Sequence, residues 1–151
     1  MAPLLGEGYV TTDLRRTDVT TQQDITRMTF ADGSFGTIVC SHVLEHIPDD
    51  RGALSELARV LRPGGHLLVQ VPFNHHGLTD EDPSVTDPEE RLRRWGELDH
   101  LRLYGSDLVD RMTSAGFDVD TILVESGFPR ELQERHGLAP DQVVFVGRRR
   151  G

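Results

Sequence analysis

Apolar residues fall along this chain in two spacings, one suited to buried strands and one to amphipathic helices. Residues 35–40 and 67–71 are nearly continuous apolar runs, Thr37-Ile38-Val39-Cys40 at the heart of the first and Leu67-Leu68-Val69-Gln70-Val71 making the second. Such runs predict parallel strands buried on both faces. Between them Ala53, Leu54, Leu57, Ala58 and Leu61 recur at three- and four-residue steps, the buried stripe of a helix. Pro48-Asp49-Asp50 opens that helix with an aspartate able to cap it and to complement its dipole. Arg62-Pro63-Gly64-Gly65 stops it, because proline cannot continue a helix and glycine accepts the left-handed cap.

The same reading extends to the rest of the chain. Residues 9–12 predict a short strand ending at Asp13, and Asp24-Ile25 a second, very short one. A polar connection covers residues 73–100 and contains a helix over 88–94; connections this long inside a domain are usually lids or mobile segments. Beyond it come a helix over 107–114, capped at Gly116, a strand over 119–124, a short helix over 129–135 and a last strand over 142–146. Arg148-Arg149-Arg150 reads as a solvated, frayed tail. Strands alternating with helices predict an α/β fold, a mostly parallel sheet with helices on both faces, in one domain spanning residues 1–151.

Composition narrows the function. A net charge of −9 argues against non-specific nucleic-acid binding and against anionic membranes. Aromatic residues make up 6%, too few for a stacking platform for single strands. The single cysteine, Cys40, forms no internal disulfide and suits a reducing compartment. No apolar run approaches the roughly 20 residues of a membrane span, and residues 1–6 lack the pattern of a signal peptide. The expectation is a cytoplasmic protein with a small-molecule substrate and neither a nucleic-acid nor a membrane partner.

Four stretches carry a resemblance. They are Phe35-Gly36-Thr37-Ile38-Val39-Cys40-Ser41-His42-Val43-Leu44-Glu45-His46-Ile47, Leu57-Ala58-Arg59-Val60-Leu61-Arg62-Pro63-Gly64-Gly65-His66-Leu67, Asp99-His100-Leu101-Arg102-Leu103-Tyr104-Gly105 and Ala115-Gly116-Phe117. In this order the chain resembles the class I S-adenosylmethionine-dependent methyltransferases of the type-11 group. The resemblance implies methyl transfer from S-adenosylmethionine to a small molecule. It makes Asp13 the acid that holds the cofactor's ribose and sets Asp24 and Ile25 beside its adenine. It places Ser41 and His42 where the methyl group and the acceptor meet, and makes His42 or His46 a general base, a task suited to imidazole. The other reading of Asp13 and Asp24 is an ordinary turn aspartate.

Two departures from the family stand beside these matches. In the family a strand and a glycine-rich turn lie about twenty residues ahead of the ribose acid; here twelve residues precede Asp13, and their only glycines are Gly6 and Gly8, with no strand before them. That turn lets the backbone approach the cofactor's methionine end, so its absence counts against ordinary cofactor binding. Loss of that central strand also leaves neighbouring edges to be paired by the second strand, by another chain in a homodimer, or left open. The second departure is Phe35-Gly36, where the family has phenylalanine followed by aspartate. Alternatives are therefore a cofactor-free or metal-dependent enzyme on a relic fold, and a non-catalytic partner protein. His42, His46, His75, His76, His100 and Asp99 all fall on segments expected at one end of the sheet, but hydrogen-bonded or solvated histidines account for them equally and no metal is assigned. His42-Val43-Leu44-Glu45-His46 also spells H-x-x-E-H, a zinc-protease pattern that requires a helix, which Pro48 disfavours.

Overall fold

The computed structural model describes residues 8–151. The reading of residues 1–6 as no signal peptide, and of Gly6 as lacking a strand before it, lies outside the described residues. The main sheet has four strands in the order β3 (Phe35–Ser41), β4 (Leu61–Gln70), β8 (Val143–Arg149) and β7 (Phe117–Leu123). β3 and β4 are parallel, and β8 runs antiparallel to both β4 and β7. Three of the four strands thus share one direction, as a mostly parallel sheet requires.

One face of this sheet carries the core. Cys40, Leu67, Val69, Phe145 and Phe117 point into it and meet Ala53, Leu54 and Leu57 of α1 (Asp50–Val60) and Leu108 and Met112 of α3 (Leu108–Ser114). Asp49 caps α1 by accepting a hydrogen bond from the Gly52 amide at 2.9 Å, as its position ahead of the apolar stripe predicts. On the other face α4 (Val124–Gly127) packs against β7, where Ile122 fills the space that a side chain at Gly127 would need. Along that face Val39, Leu68 and Val146 form one cross-strand row, and Val39 is 70% exposed. The expectation that β3 is buried on both faces is corrected here, because β3 is an edge strand and α1 and α3 cover only one side.

Several boundaries also shift. β4 begins at Leu61, not at Leu67, because the Pro63-Gly64-Gly65 segment bulges without leaving the sheet. Gly65 is required there: a Cβ on it would lie 2.9 Å from the Arg62 carbonyl and 3.0 Å from that of Gly36. Gly36, in turn, lies under the Arg62 guanidinium, 3.1 Å from where a Cβ would stand. β1 (Thr12–Asp13) pairs in parallel with β2 (Thr21–Gln22) in a small separate sheet. The short strand expected at Asp24-Ile25 lies three residues earlier, since Asp24 closes a turn, its Oδ1 accepting from the Thr26 amide and hydroxyl. β1 does not move in beside β3, whose outer edge has no strand among the described residues.

The segment between β4 and α3 is well tied down. It holds β5 (Asp80–Glu81), α2 (Pro88–Trp95) and β6 (Arg102–Leu103), with β5 and β6 paired antiparallel. Arg111 of α3 reaches Asp50 of α1 and Glu81 of β5, each at 2.8 Å, so the connection is fastened to two helices. After α5 (Arg130–His136) the chain returns as β8. Arg148 and Arg149 belong to that strand, and the Arg150 amide donates to the Gly116 carbonyl at 2.9 Å. The expected frayed tail is instead part of the sheet, because its backbone pairs with β4 and β7.

Candidate active site

The chain turns sharply where β3 ends. Ser41 is the last strand residue, and His42 adopts φ 53°, the one non-glycine positive φ among the described residues. A histidine held in this region costs conformational energy and marks a turn imposed by its surroundings. The His42 amide donates to the Gln70 carbonyl at 2.9 Å, carrying the β3–β4 ladder one residue past the strand. A single 3-10 turn, Leu44–His46, follows. One guanidinium gathers carbonyls of the turn and of the residues after it: Arg102 donates to Leu44 at 3.1 Å, to Pro48 at 3.0 Å and to Ile47. The Leu101 amide donates to the Glu45 carbonyl at 2.9 Å. Residues more than fifty positions downstream thereby fix the attitude of Glu45 and His46.

Above this turn opens a cleft of about 510 Å³, lined by His42, Glu45, His46, Trp95, Asp99 and His100 among others. That volume lies in the range of small-molecule sites. The His42 side chain is 56% exposed, and its Nδ1 stands 3.3 Å from Glu45 Oε1. Glu45 is wholly buried, and neither of its carboxylate oxygens has a hydrogen-bond partner among the described residues. His46 Nδ1 is also buried without a hydrogen bond, at 3.4 Å from Asp99 Oδ2 in a misaligned contact. The His46 and His100 rings meet edge to face with centroids 4.8 Å apart. His100 Nδ1 lies 2.9 Å from the Trp95 carbonyl oxygen. A carbonyl only accepts, so Nδ1 carries the proton and Nε2 keeps a free lone pair. Beneath the cleft, burial first and the Glu45 charge second push the Cys40 thiol up to about 12.

The residues singled out in the sequence divide into two groups. His42, His46, His100 and Asp99 come together at the cleft, and Ser41 stands beside them with its hydroxyl 3.3 Å from Gln70 Oε1. His75 and His76 stay out of this cleft: His75 donates from Nε2 to the Asp141 carbonyl at 2.9 Å and lines a neighbouring, smaller pocket with His42. Asp13, Asp24 and Ile25 do not line the cleft either. Asp13 Oδ1 accepts from the Arg15 and Arg16 amides at 2.7 and 2.8 Å, and the Arg16 and then the Arg15 hydrogen bond hold its carboxyl below the usual range. The Thr26 hydroxyl and amide do the same for Asp24, while Ile25 packs half-buried against the core. The H-x-x-E-H letters form no α-helix, and His42 lies outside the 3-10 turn that holds His46, so the two do not share a helical face. Sequence reasoning missed Glu45, although its place between two histidines, next to the buried Leu44, was a usable signal.

Comparison with known proteins agrees with this architecture. Residues 7–69 match the methyltransferase-domain family. A 37.1 kDa protein of transposon TN4556 from Streptomyces fradiae is 31% identical over 126 residues, covering 83% of this chain and 35% of that protein. The demethylmenaquinone methyltransferase of Mycolicibacterium vanbaalenii is 48% identical over 46 residues, 30% of this chain and 20% of the enzyme. This chain therefore spans about a third or less of the curated relatives it matches. Among solved structures, the methyltransferase-like protein bound to the Trm112 methyltransferase activator of Haloferax volcanii superposes with a TM-score of 0.58 at 18% identity, over 87% of this chain and 61% of that one. Residues 7–69 are thus similar to the methyltransferase-domain family, and the fold is that of the class I S-adenosylmethionine-dependent methyltransferases.

Proposed function

We propose that this chain forms, as one domain, the acceptor side of an S-adenosylmethionine-dependent methyltransferase acting on a small molecule. The observation that carries the reading is the histidine-lined cleft beyond the ends of β3 and β4 in a methyltransferase fold, where ligands of open α/β sheets bind. His42 is the exposed base of that cleft. It accepts the acceptor's proton at Nε2, while the Glu45 carboxylate beside Nδ1 stabilises the imidazolium. Methyl transfer asks for little more than positioning and exclusion of water, and the buried Trp95 and His100 supply one fixed wall of the cleft.

The fit of the cofactor itself is uneven. Asp13 keeps Oδ2 without a partner among the described residues and is suited to ribose hydroxyls. No glycine-rich turn follows a strand ahead of Asp13 among those residues, so the methionine end finds no cradle of amides in them. Among the described residues, Asp13 thus offers an acid to the nucleoside portion. Calorimetric titration with S-adenosylmethionine and S-adenosylhomocysteine tests the reading. It expects nucleoside-driven binding near 100 μM, about −5.5 kcal/mol, abolished in Asp13→Ala. No heat from a folded sample, or binding unchanged in Asp13→Ala, overturns it.

A further inference from the structure

We propose that Glu45, His46 and His100 form a binding site for one divalent transition-metal ion in the floor of the cleft. One donor atom from each of the three lies within 4.8 Å of the others. The independent observation is the state of Glu45. It is wholly buried, and both of its oxygens lack hydrogen-bond partners among the described residues. Burying a carboxylate without compensation is among the costliest things a fold can do. His42 Nδ1 stands 3.3 Å from Oε1 without completing a hydrogen bond, and two further imidazoles gather at the carboxylate. His100 presents the lone pair of Nε2, because Trp95 holds its Nδ1 proton, and His46 Nδ1 is buried without a partner. A buried, unpartnered carboxylate gathered with two imidazoles is a donor set that a cation would satisfy.

The donor set names the class of cation. Two imidazoles and one carboxylate suit zinc and its neighbours, and suit calcium or magnesium poorly. The Trp95 carbonyl acts on His100 as an outer partner does on a metal-bound histidine, fixing tautomer and ring orientation. Donors around a tetrahedral ion stand about 3.3 Å apart, so the present spacing of up to 4.8 Å must tighten by about 1.5 Å to hold one. Three protein ligands leave a coordination position facing the cleft, open to an oxygen of a bound small molecule. Arg102 serves as a positioning residue, since it grips the carbonyls on either side of Glu45 and His46.

The test uses the whole chain, stripped with chelator and titrated with Co²⁺ and then with Zn²⁺, in the absence of S-adenosylmethionine. Expected is one equivalent of Co²⁺ with the ligand-field absorption of a nitrogen–oxygen site, displaced by Zn²⁺. Glu45→Gln and His100→Ala each weaken binding by about tenfold or more. His136→Ala, on α5 and away from the cluster, leaves it unchanged. Should Glu45→Gln fail to fold, His100→Ala and the wild-type stoichiometry decide. A folded wild-type chain that binds neither ion at millimolar concentration overturns the proposal, as does equal binding by wild type and His100→Ala. Because no cofactor is present, this result is separate from the nucleoside titration.

Discussion

Replacing Arg111 by methionine removes the guanidinium that ties α1, β5 and α3 together and keeps most of its apolar stem. Arg111 and Asp50 are each 6% exposed and meet at 2.8 Å. Glu81, at 2.8 Å, and Asp107, at 3.2 Å, are more open to water. Removing one partner of a buried pair costs about 3–5 kcal/mol, mostly through the charge left behind. Asp50 keeps one donor, the Tyr104 hydroxyl at 2.8 Å, and Glu81 and Asp107 can turn to solvent. The cost therefore sits at the lower end, about 3 kcal/mol. With a urea slope of about 2 kcal/mol/M the unfolding midpoint falls by about 1.5 M at pH 7. Acidity must erode the difference. Arg111 first, against burial, holds Glu81 below its ordinary value near 4.5. Burial pushes Asp107 up, but the Thr79 hydrogen bonds and Arg111 bring it below its usual value. Acids with depressed native pKa values stabilise the fold above their unfolded values and lose that contribution as pH falls through the native ones. The gap between wild type and Arg111→Met is thus full at pH 7 and shrinks below about pH 4. A midpoint shift under about 0.5 M at pH 7, or a gap that widens on acidification, would refute the network as a fastening.

Further expectations can be checked on the purified chain. Cys40, with its thiol raised to about 12 by burial and the Glu45 charge, should react with a disulfide reagent at pH 8 at least about a hundredfold more slowly in the native than in the unfolded protein; equal rates would mean an open core. At His42, where φ is 53°, glycine should be more stable than alanine by about 1 kcal/mol in denaturant melts; equal stabilities would show that the turn relaxes freely. Gly105→Ala sets a methyl group against the backbone of Gly77 and Leu78 and should destabilise by about 2–3 kcal/mol. Proteolysis within residues 73–107 should quicken along with it, and an unchanged melting temperature would argue against that close approach.

The elements readable in the sequence were those whose signals are local. The stripe from Ala53 to Ala58 and the Asp49 cap specify α1 within a few residues of one another, and the structure places both as expected. Pro88 at the first turn and Gly96 just past the end likewise bracket α2. Misplacements arose where distant partners decide. Leu61 joins β4 because Phe35 stands opposite it, and Arg148 and Arg149 are strand residues because Asp118 and Phe117 pair with them. In the candidate site, the histidines after β3 announced themselves through the family-like motif. Glu45 did not, because its importance lies in having no hydrogen-bond partner, a property no spacing encodes. Arg102 and Tyr104 were legible only as members of a family-like stretch. Their targets, Leu44 and Asp50, lie more than fifty positions away.

The position of β8 bears on how such a chain is made. It is the latest strand in the sequence, yet it lies inside the sheet between β4 and β7. On a ribosome, β3, β4 and the helices emerge first and must wait with an unfilled slot until residues 143–149 appear. Closing the loop between paired positions such as Leu68 and Val146 costs about 4 kcal/mol in chain entropy. The nascent chain therefore exposes the apolar flank of β4 from the completion of that strand until residues 143–149 emerge, and that interval is when a chaperone has the most to hold. A stall or premature stop shortly before Val143 would release a chain that has every helix of the described residues and no closed core.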